Sequence, residues 1–402
     1  MKLQLKSIAN PYTIFSISWL LCLMLYSFGW TDIFPKLSTT LIIFLVVLIC
    51  LFSITGLIFN KLNLYTIAKK PLLINSTALL TINIGLYALN FFYSGIPILN
   101  GVRDDNFGIP TVIVLSTTLN CFTSIYCFYL FMQTRSKKFL LYSVFCLSFF
   151  VLAFSRGNIM MSIITMFFLW INIKLPNLTI KKFLGIISGI LLVMYLFGVA
   201  GNYRTINDLN TQNPKFDKAY NSNVILAIGG ASDSFKSSIV PGEFFWTYLY
   251  ITSPLSNLQY NITKNKPSFT LNGVMYTVID EILPDAVSKK INDLLGRKRR
   301  GADLIVDQLT VPTALTGSYN YAGWGGIAIF LIVFWLFGFI YTFLVLKNPL
   351  GIIGMSTLCT VYFFSIFDNM FTLTGLMLQL IFPIILFVLS KIKFNTFEAS
   401  SK

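Results

Sequence analysis

Histidine is absent from all 402 residues. That removes His-ligated metal sites, Ser-His triads and the imidazole general base together. Acidic side chains are scarce as well. There are 15 Asp and Glu against 30 Lys and Arg, and charged residues make up only 11% of the chain, where soluble domains carry about 25%. The six cysteines (Cys22, Cys50, Cys121, Cys127, Cys146 and Cys359) all fall inside apolar blocks. No pair has metal-ligand spacing in a polar loop, so they read as small apolar packing residues and neither a metal nor a disulfide framework is expected. There is no internal repeat and no low-complexity tract. A cleavable signal peptide is not evident: Met1–Asn10 is short and basic, and the apolar run behind it is long enough to stay as a first span.

What the chain has instead is long apolar runs, with a mean hydropathy of +0.74. A soluble protein of this length could not hide so much apolar surface, whereas a bilayer accepts it on helices that satisfy their own backbone. Taking roughly 20 residues per crossing, spans are predicted at about 11–30, 39–59, 74–94, 110–132, 139–154, 158–173, 183–201, 322–346, 351–367 and 371–390. The stretch 139–173 is too long for one span, and Ser155-Arg156-Gly157 in its middle predicts a tight hairpin turn. The expected fold is therefore an all-α integral membrane protein of about ten transmembrane helices. Residues 1–201 hold helices 1–7, 202–321 form one large loop, and 322–402 hold helices 8–10 and a cytoplasmic tail.

Charge placement orients this bundle. With the N-terminus inside, the inner segments hold 15 basic residues and one acid, Glu398, while the only basic residues in the short outer loops are Lys36, Arg103 and Arg156. By the positive-inside rule both termini are cytoplasmic and the large loop lies outside. The formal charge of +15 then mostly reports topology, and nucleic acid drops out as a partner. The loop carries 12 basic and 10 acidic residues, too polar to span and too long for a mere connector. Ser253-Pro254 predicts the start of a short helix running to about Tyr260. The aromatic-rich 241–252 suits a helix at headgroup level, and 286–309 shows helical spacing. A helical cap over the outer mouth of the bundle is expected.

Several residues could carry chemistry. Arg156 sits at the outer interface against the positive-inside bias and is costly there unless partnered; the bland alternative is a side chain snorkelling to lipid phosphate. Tyr203 and Arg204 close the seventh span, as a ligand site or as a routine interfacial anchor. Arg103 lies beside Asp104 and Asp105 between two Gly-Ile-Pro turns, where it reads as a ligand or as a local ion pair. In Arg297-Lys298-Arg299-Arg300, a solvated face competes with one or two members, Arg299 and Arg300 among them, reaching a site. Converging guanidiniums suit a phosphate-bearing lipid, since the fork binds phosphate oxygens in pairs and stays charged. They would also stabilise a departing pyrophosphate. Without histidine, a base must come from the outer carboxylates Asp280, Glu281, Asp303, Asp307, Asp233 or Glu243. Asp303 and Asp307 would share a helical face, against the plainer reading of salt bridges to the basic run. Asp368 is a candidate polar partner for an arginine. The Gly/aromatic stretch 313–327, with Tyr319 and Tyr321, suits an interface belt or sugar stacking.

Four local patterns occur in order: Ser94-Gly95-Ile96-Pro97 through Phe107-Gly108-Ile109-Pro110, Ser155-Arg156-Gly157 at a span junction, Asn202-Tyr203-Arg204 opening the loop, and Tyr319–Gly326 entering the eighth span. With the span count and the one long late loop, the chain resembles over most of its length the O-antigen polymerase (Wzy-type, oligosaccharide repeat-unit polymerase) family. The resemblance implies a GT-C-like fold and a metal-independent glycosyltransferase needing no cofactor. Its donor and acceptor would be undecaprenyl-pyrophosphate-linked oligosaccharides at the periplasmic face of the inner membrane, among membrane lipids, with a chain-length regulator as a candidate further partner. Arg156 and Arg204 match the family's arginine positions and would, by that analogy, grip pyrophosphate. The related O-antigen ligases carry an essential loop histidine that this chain lacks. A lipid-linked oligosaccharide flippase or other transporter is the rival from another class, although charges here avoid the span centres, unlike those of transporters.

Overall fold

In the computed structural model the described residues are 9–62, 74–100, 107–174, 180–212, 222–306 and 309–400. Among them the regular structure is helical, apart from one bridge between Thr31 and Ala231. The first half holds α1 (Pro11–Tyr26), α2 (Thr39–Lys61), α3 (Ser76–Ser94), α4 (Pro97–Asn100), α5 (Val112–Thr134), α6 (Lys137–Leu152), α7 (Arg156–Lys174) and α8 (Ile180–Gln212). The polar segment folds as α9 (Ser222–Ile228), α10 (Asp233–Lys236), α11 (Glu243–Lys264), α12 (Leu271–Thr277), a π-helical turn at Val278–Ile282, and α13 (Asp285–Leu294). The chain then returns to the bundle through α14 (Thr316–Val345), α15 (Gly351–Phe364), α16 (Thr374–Met377) and α17 (Ile381–Ser400).

Each of the ten apolar ranges falls on a helix. Five are long and apolar enough to cross a membrane: Thr39–Lys61, Val112–Thr134, Arg156–Lys174, Leu184–Tyr203 and Thr316–Val345. Pro11–Tyr26, Gly351–Phe364 and Thr374–Ser390 are apolar but shorter. The set is consistent with a multi-pass membrane protein. Ile43, Val47, Ile54 and Leu57 lie exposed along α2, and Leu184, Leu191, Leu192 and Leu196 along α8, apolar surface that water would penalise and lipid covers.

Aromatic stacking and close backbone approach hold the bundle together. Phe15 stacks on Phe52 at 4.0 Å and Phe334 on Tyr362 at 4.1 Å, joining α1, α2, α14 and α15. Gly338 backs onto the Tyr12 and Tyr362 hydroxyls, and Gly354 onto that of Tyr341, in the small-residue manner of membrane helices. Polar side chains cross-link the rest: Asn83 donates to Thr123 at 2.9 Å, Thr165 pairs with Thr360 at 2.8 Å, and Asn172 donates to Ser356 at 3.2 Å.

The polar segment departs from the sequence expectation in three places. α8 continues past the predicted end at 201 to Gln212, so Tyr203 and Arg204 lie on a helix instead of opening a loop; the first proline beyond them is Pro214. Ser253-Pro254 does not start a helix, because α11 runs unbroken from Glu243 to Lys264 with Pro254 inside. An interior proline costs about 3 kcal/mol, and tertiary clamping of both halves offsets it. Thr247 donates to the Met194 carbonyl at 2.7 Å, and Leu255 and Leu258 are fully buried. Phe245, Tyr248 and Leu249 are buried too, packed with Ile225, Ala231 and Phe235. Third, the helical pattern over 286–309 stops at Leu294. Gly296 takes φ +61, its N–H donates to the Asp293 carbonyl at 3.2 Å, and the Arg297 N–H donates to Asn292 at 2.9 Å. This pair of bonds is the Schellman termination, which needs a left-handed residue at that position.

Beyond it, residues 297–306 run as a non-helical strap along α11, fastened by asparagines one helical turn apart. Asn257 donates to the carbonyls of Leu309 and Val311 at 2.9 and 3.1 Å and accepts from the Ile305 N–H at 3.0 Å. Asn261 donates to the Asp303 carbonyl at 2.7 Å and accepts from its N–H at 3.1 Å, so one side chain closes both backbone groups of Asp303. Replacing Asn261 with Leu strands those buried groups, each worth about 1–3 kcal/mol when unsatisfied. The expected outcome is a lower melting temperature and new proteolytic cleavage within 297–306. Unchanged melting and cleavage would show that the strap is held by other means.

Candidate functional site

Two adjacent acids on the π-helical turn organise the polar groups at one end of the bundle. A π turn inserts an extra residue per hydrogen bond and is frequent at functional sites; here it aims Asp280 and Glu281 in different directions, both buried. Asp280 accepts from Ser288 at 3.0 Å, Asn292 at 2.7 Å and the Tyr321 hydroxyl at 2.6 Å, and pairs with Arg297. Burial pushes its carboxyl up, but the hydrogen bonds from Tyr321, Asn292, Arg297 and Ser288 outweigh burial and hold it below the usual range. Asp280 is therefore a fixed anion. The α13 termination places Arg297 there, with its guanidinium 3.9 Å over the Tyr276 ring and 5.6 Å from that of Tyr321.

Glu281 lives in a drier place. Its carboxylate accepts from Asn369 at 2.9 Å and from Arg299 at 3.2 Å, while the Asn369 amide also donates to the Glu281 carbonyl at 2.6 Å. Gly317, on the first turn of α14, backs directly onto the carboxylate, and a Cβ there would overlap it. Burial pushes the carboxyl up to about 7, against the opposing pull of Arg299 and with a smaller push from Asp368. Arg299 bridges outward to Asp285 at 2.9 Å. It links a carboxylate whose side chain is 3% exposed to one that is 36% exposed. Burial also raises Asp285 and Asp368. The result is a titratable acid poised near neutrality, with one guanidinium between it and the surface.

The other sequence candidates divide. Arg300 donates to the Asn320 carbonyl at 3.1 Å and to Asn265 at 3.2 Å, and its own N–H donates to the Tyr321 hydroxyl at 2.8 Å, which joins it to the Asp280 cluster. Asp303 is not on a helix; it pairs with Lys264 and accepts from Asn265 at 2.9 Å, holding the strap. Asp307 and Arg103 lie outside the described residues, although the ends of the Arg103 loop are clasped where Gly108 and Ile109 donate to Ser94 and Asn90 at 2.9 and 3.0 Å. Tyr319 is buried, and its hydroxyl donates to the Asn265 carbonyl at 3.2 Å. Tyr203 is exposed on α8; Arg204 shares that helix, its side chain outside the described residues. Of the further carboxylates, Asp233 is exposed beside Lys236 and Glu243 opens α11.

Arg156 stands where the hairpin turn was predicted. α6 ends at Leu152 and α7 begins at Arg156, with Phe154 at φ +54 between them, a left-handed conformation that a bulky residue adopts only under constraint. That conformation puts the Phe154 ring 5.1 Å from the exposed Arg156 guanidinium, which has no carboxylate partner among the described residues. The turn shares an end of the bundle with the acid cluster. Gly375 backs onto the Asn158 side chain, the neighbouring Thr374 hydroxyl accepts from the Ala286 N–H at 3.3 Å, and Asp285 donates its N–H to the Thr372 carbonyl at 2.9 Å.

No family model, curated protein or solved structure matches this chain.

Proposed function

We propose that this chain is a membrane glycosyltransferase that polymerises undecaprenyl-pyrophosphate-linked oligosaccharide repeat units into a surface polysaccharide, O-antigen or capsule, at the periplasmic face of a bacterial inner membrane. One observation carries the reading: a buried carboxylate poised near neutrality, Glu281, and a set of guanidiniums occupy the same end of an apolar helical bundle. The side of the membrane is argued from the charge bias of the connecting segments, and the substrate class from the resemblance together with the arginines.

In the proposed step the acceptor sugar's hydroxyl oxygen bonds to the donor's anomeric carbon. The bond from that carbon to the diphosphate oxygen breaks, and its electron pair leaves with polyprenyl pyrophosphate. Glu281 takes the hydroxyl proton, its pKa near 7 matching that task. Access to it opens when Arg299 swings toward Asp285, the exposed partner it already holds. Arg156, Arg204 and Arg300 neutralise the departing diphosphate with guanidinium forks. Arg297 is locked to Asp280 and shapes the site without touching substrate.

The transporter reading is favoured by one feature, since a buried acid titrating near neutrality could equally couple lipid movement to protons. The two part in the test tube. Purified protein given lipid-linked repeat units should build polymer, and Arg156→Ala and Arg204→Ala should each slow it about 100-fold or more. Wild-type rates in both variants would remove the diphosphate-holding role. Movement of the donor across proteoliposomes without any new glycosidic bond would establish the transporter instead.

A further inference from the structure

The helix α13 is inside out. Its buried side chains are polar, Ser288 and Asn292, both spent on Asp280, while apolar Val287, Leu294 and Leu295 are 45%, 87% and 53% exposed. At 100° per residue Val287, Ile291, Leu294 and Leu295 form one arc, and Lys290 borders it. Residues 285–300 carry six basic and two acidic side chains, and one of those acids, Asp285, is neutralised by Arg299. Lys290 and Lys298 have no carboxylate partner among the described residues, while Lys289, one turn after Asp285 and across the helix from the apolar arc, acts on that carboxylate.

The preceding element repeats the pattern beside it. Phe269, Leu271, Met275 and Val278 are exposed along one side of α12 and its flanks. That helix is fixed at the level where the apolar run of α14 begins. Gly273 backs onto the Tyr321 carbonyl and Phe269 covers Gly325, either side of the break at Ala322 and Gly323, whose φ/ψ values are −142/24 and 60/−146. The α12 arc thus adjoins the start of α14, and α13 follows it through the π-helical turn.

We propose that α12 and α13 form an amphipathic clamp that docks on an anionic bilayer surface, with the leucine and valine arcs in the acyl boundary and Lys290 and Lys298 on lipid phosphates. A second protein or a second copy of the chain would leave the lysine border unexplained, whereas anionic headgroups match it. Docking acts on the site through the adjoining face of α13: the same ten residues that meet lipid on one flank hold Asp280 on the next and aim Arg297. This deepens the proposed function by adding a lipid requirement, yet it can be tested without any transfer reaction.

The test places a single labelled cysteine at Leu294, in a Cys50→Ser background, in the full chain reconstituted in nanodiscs. In phosphatidylcholine containing phosphatidylglycerol the label should be shielded from an aqueous quencher. In phosphatidylcholine alone, or with Lys290 and Lys298 both changed to Gln, docking should weaken roughly 25-fold, taking about fivefold per lysine, and the label should become accessible. Equal accessibility in every lipid would overturn the proposal. So would equal shielding in phosphatidylcholine alone, which would show that cover of the arc does not depend on anionic headgroups. Neither result depends on whether the chain transfers sugar.

Discussion

Glu281→Gln is expected to lower polymerisation turnover by about 100- to 10,000-fold, the range for removing a positioned general base. Arg299 keeps Asp285 and the amide can still accept from Asn369, so the cluster should stay assembled. The pH profile makes the result specific. With its pKa raised to about 7, Glu281 is a competent base only when deprotonated, so the wild-type rate should climb as pH rises through 7, and that limb should vanish in the variant. Stability runs the opposite way. A carboxyl whose folded pKa lies above its unfolded value contributes stability below the ordinary carboxylate range and loses it as pH rises to about 7. Melting of the wild type should therefore decline over that window, and Glu281→Gln should decline less, by what Asp285 and Asp368 still contribute. Identical rate profiles in the two proteins would take the base role away from Glu281.

Gly317→Ala should be nearly as damaging for a steric reason. The added Cβ would overlap the Glu281 carboxylate, which is held in place by Asn369 and Arg299. Either the acid leaves its place between Asn369 and Arg299, or α14 shifts. Overpacking of this kind costs about 1–3 kcal/mol, and the displaced carboxylate loses its alignment, so both melting temperature and activity should fall. Gly301→Ala is the control, since a Cβ there meets nothing within 4 Å. If Gly317→Ala melts and works like Gly301→Ala, the packing of Glu281 against α14 is not what holds it.

The helices were legible because lipid imposes one rule on every span, so apolar length alone places them. A break near Ser155-Arg156-Gly157 was legible for the same reason, in a run too long for one crossing, although it falls at Ala153–Ser155, with Arg156 and Gly157 already in α7. The polar segment obeys no such rule. Pro254 reads locally as a helix start, but burial of Leu255 and Leu258 on either side of α1 and α14 contacts carries the helix through it. Gly296 was a readable stop, and weighing its backbone freedom would have ended the helix before Asp303. Glu281 stood among six candidate acids with no local mark, because what sets it apart is Gly317 and Asn369, contacts far away in sequence. The asparagines at 257, 261 and 265 were findable: four-residue spacing puts them on one face, an unusual polar stripe in so apolar a chain.

The central claim is that sugar passes to sugar as the diphosphate carrier leaves, and product stoichiometry in a single turnover tests it most directly. Purified wild-type protein, mixed with lipid-linked repeat units and followed by mass spectrometry, should release one polyprenyl pyrophosphate for each glycosidic bond formed, with the repeat added to the acceptor's non-reducing end. Carrier and repeat units recovered intact and unjoined, from protein shown to be folded, would contradict it.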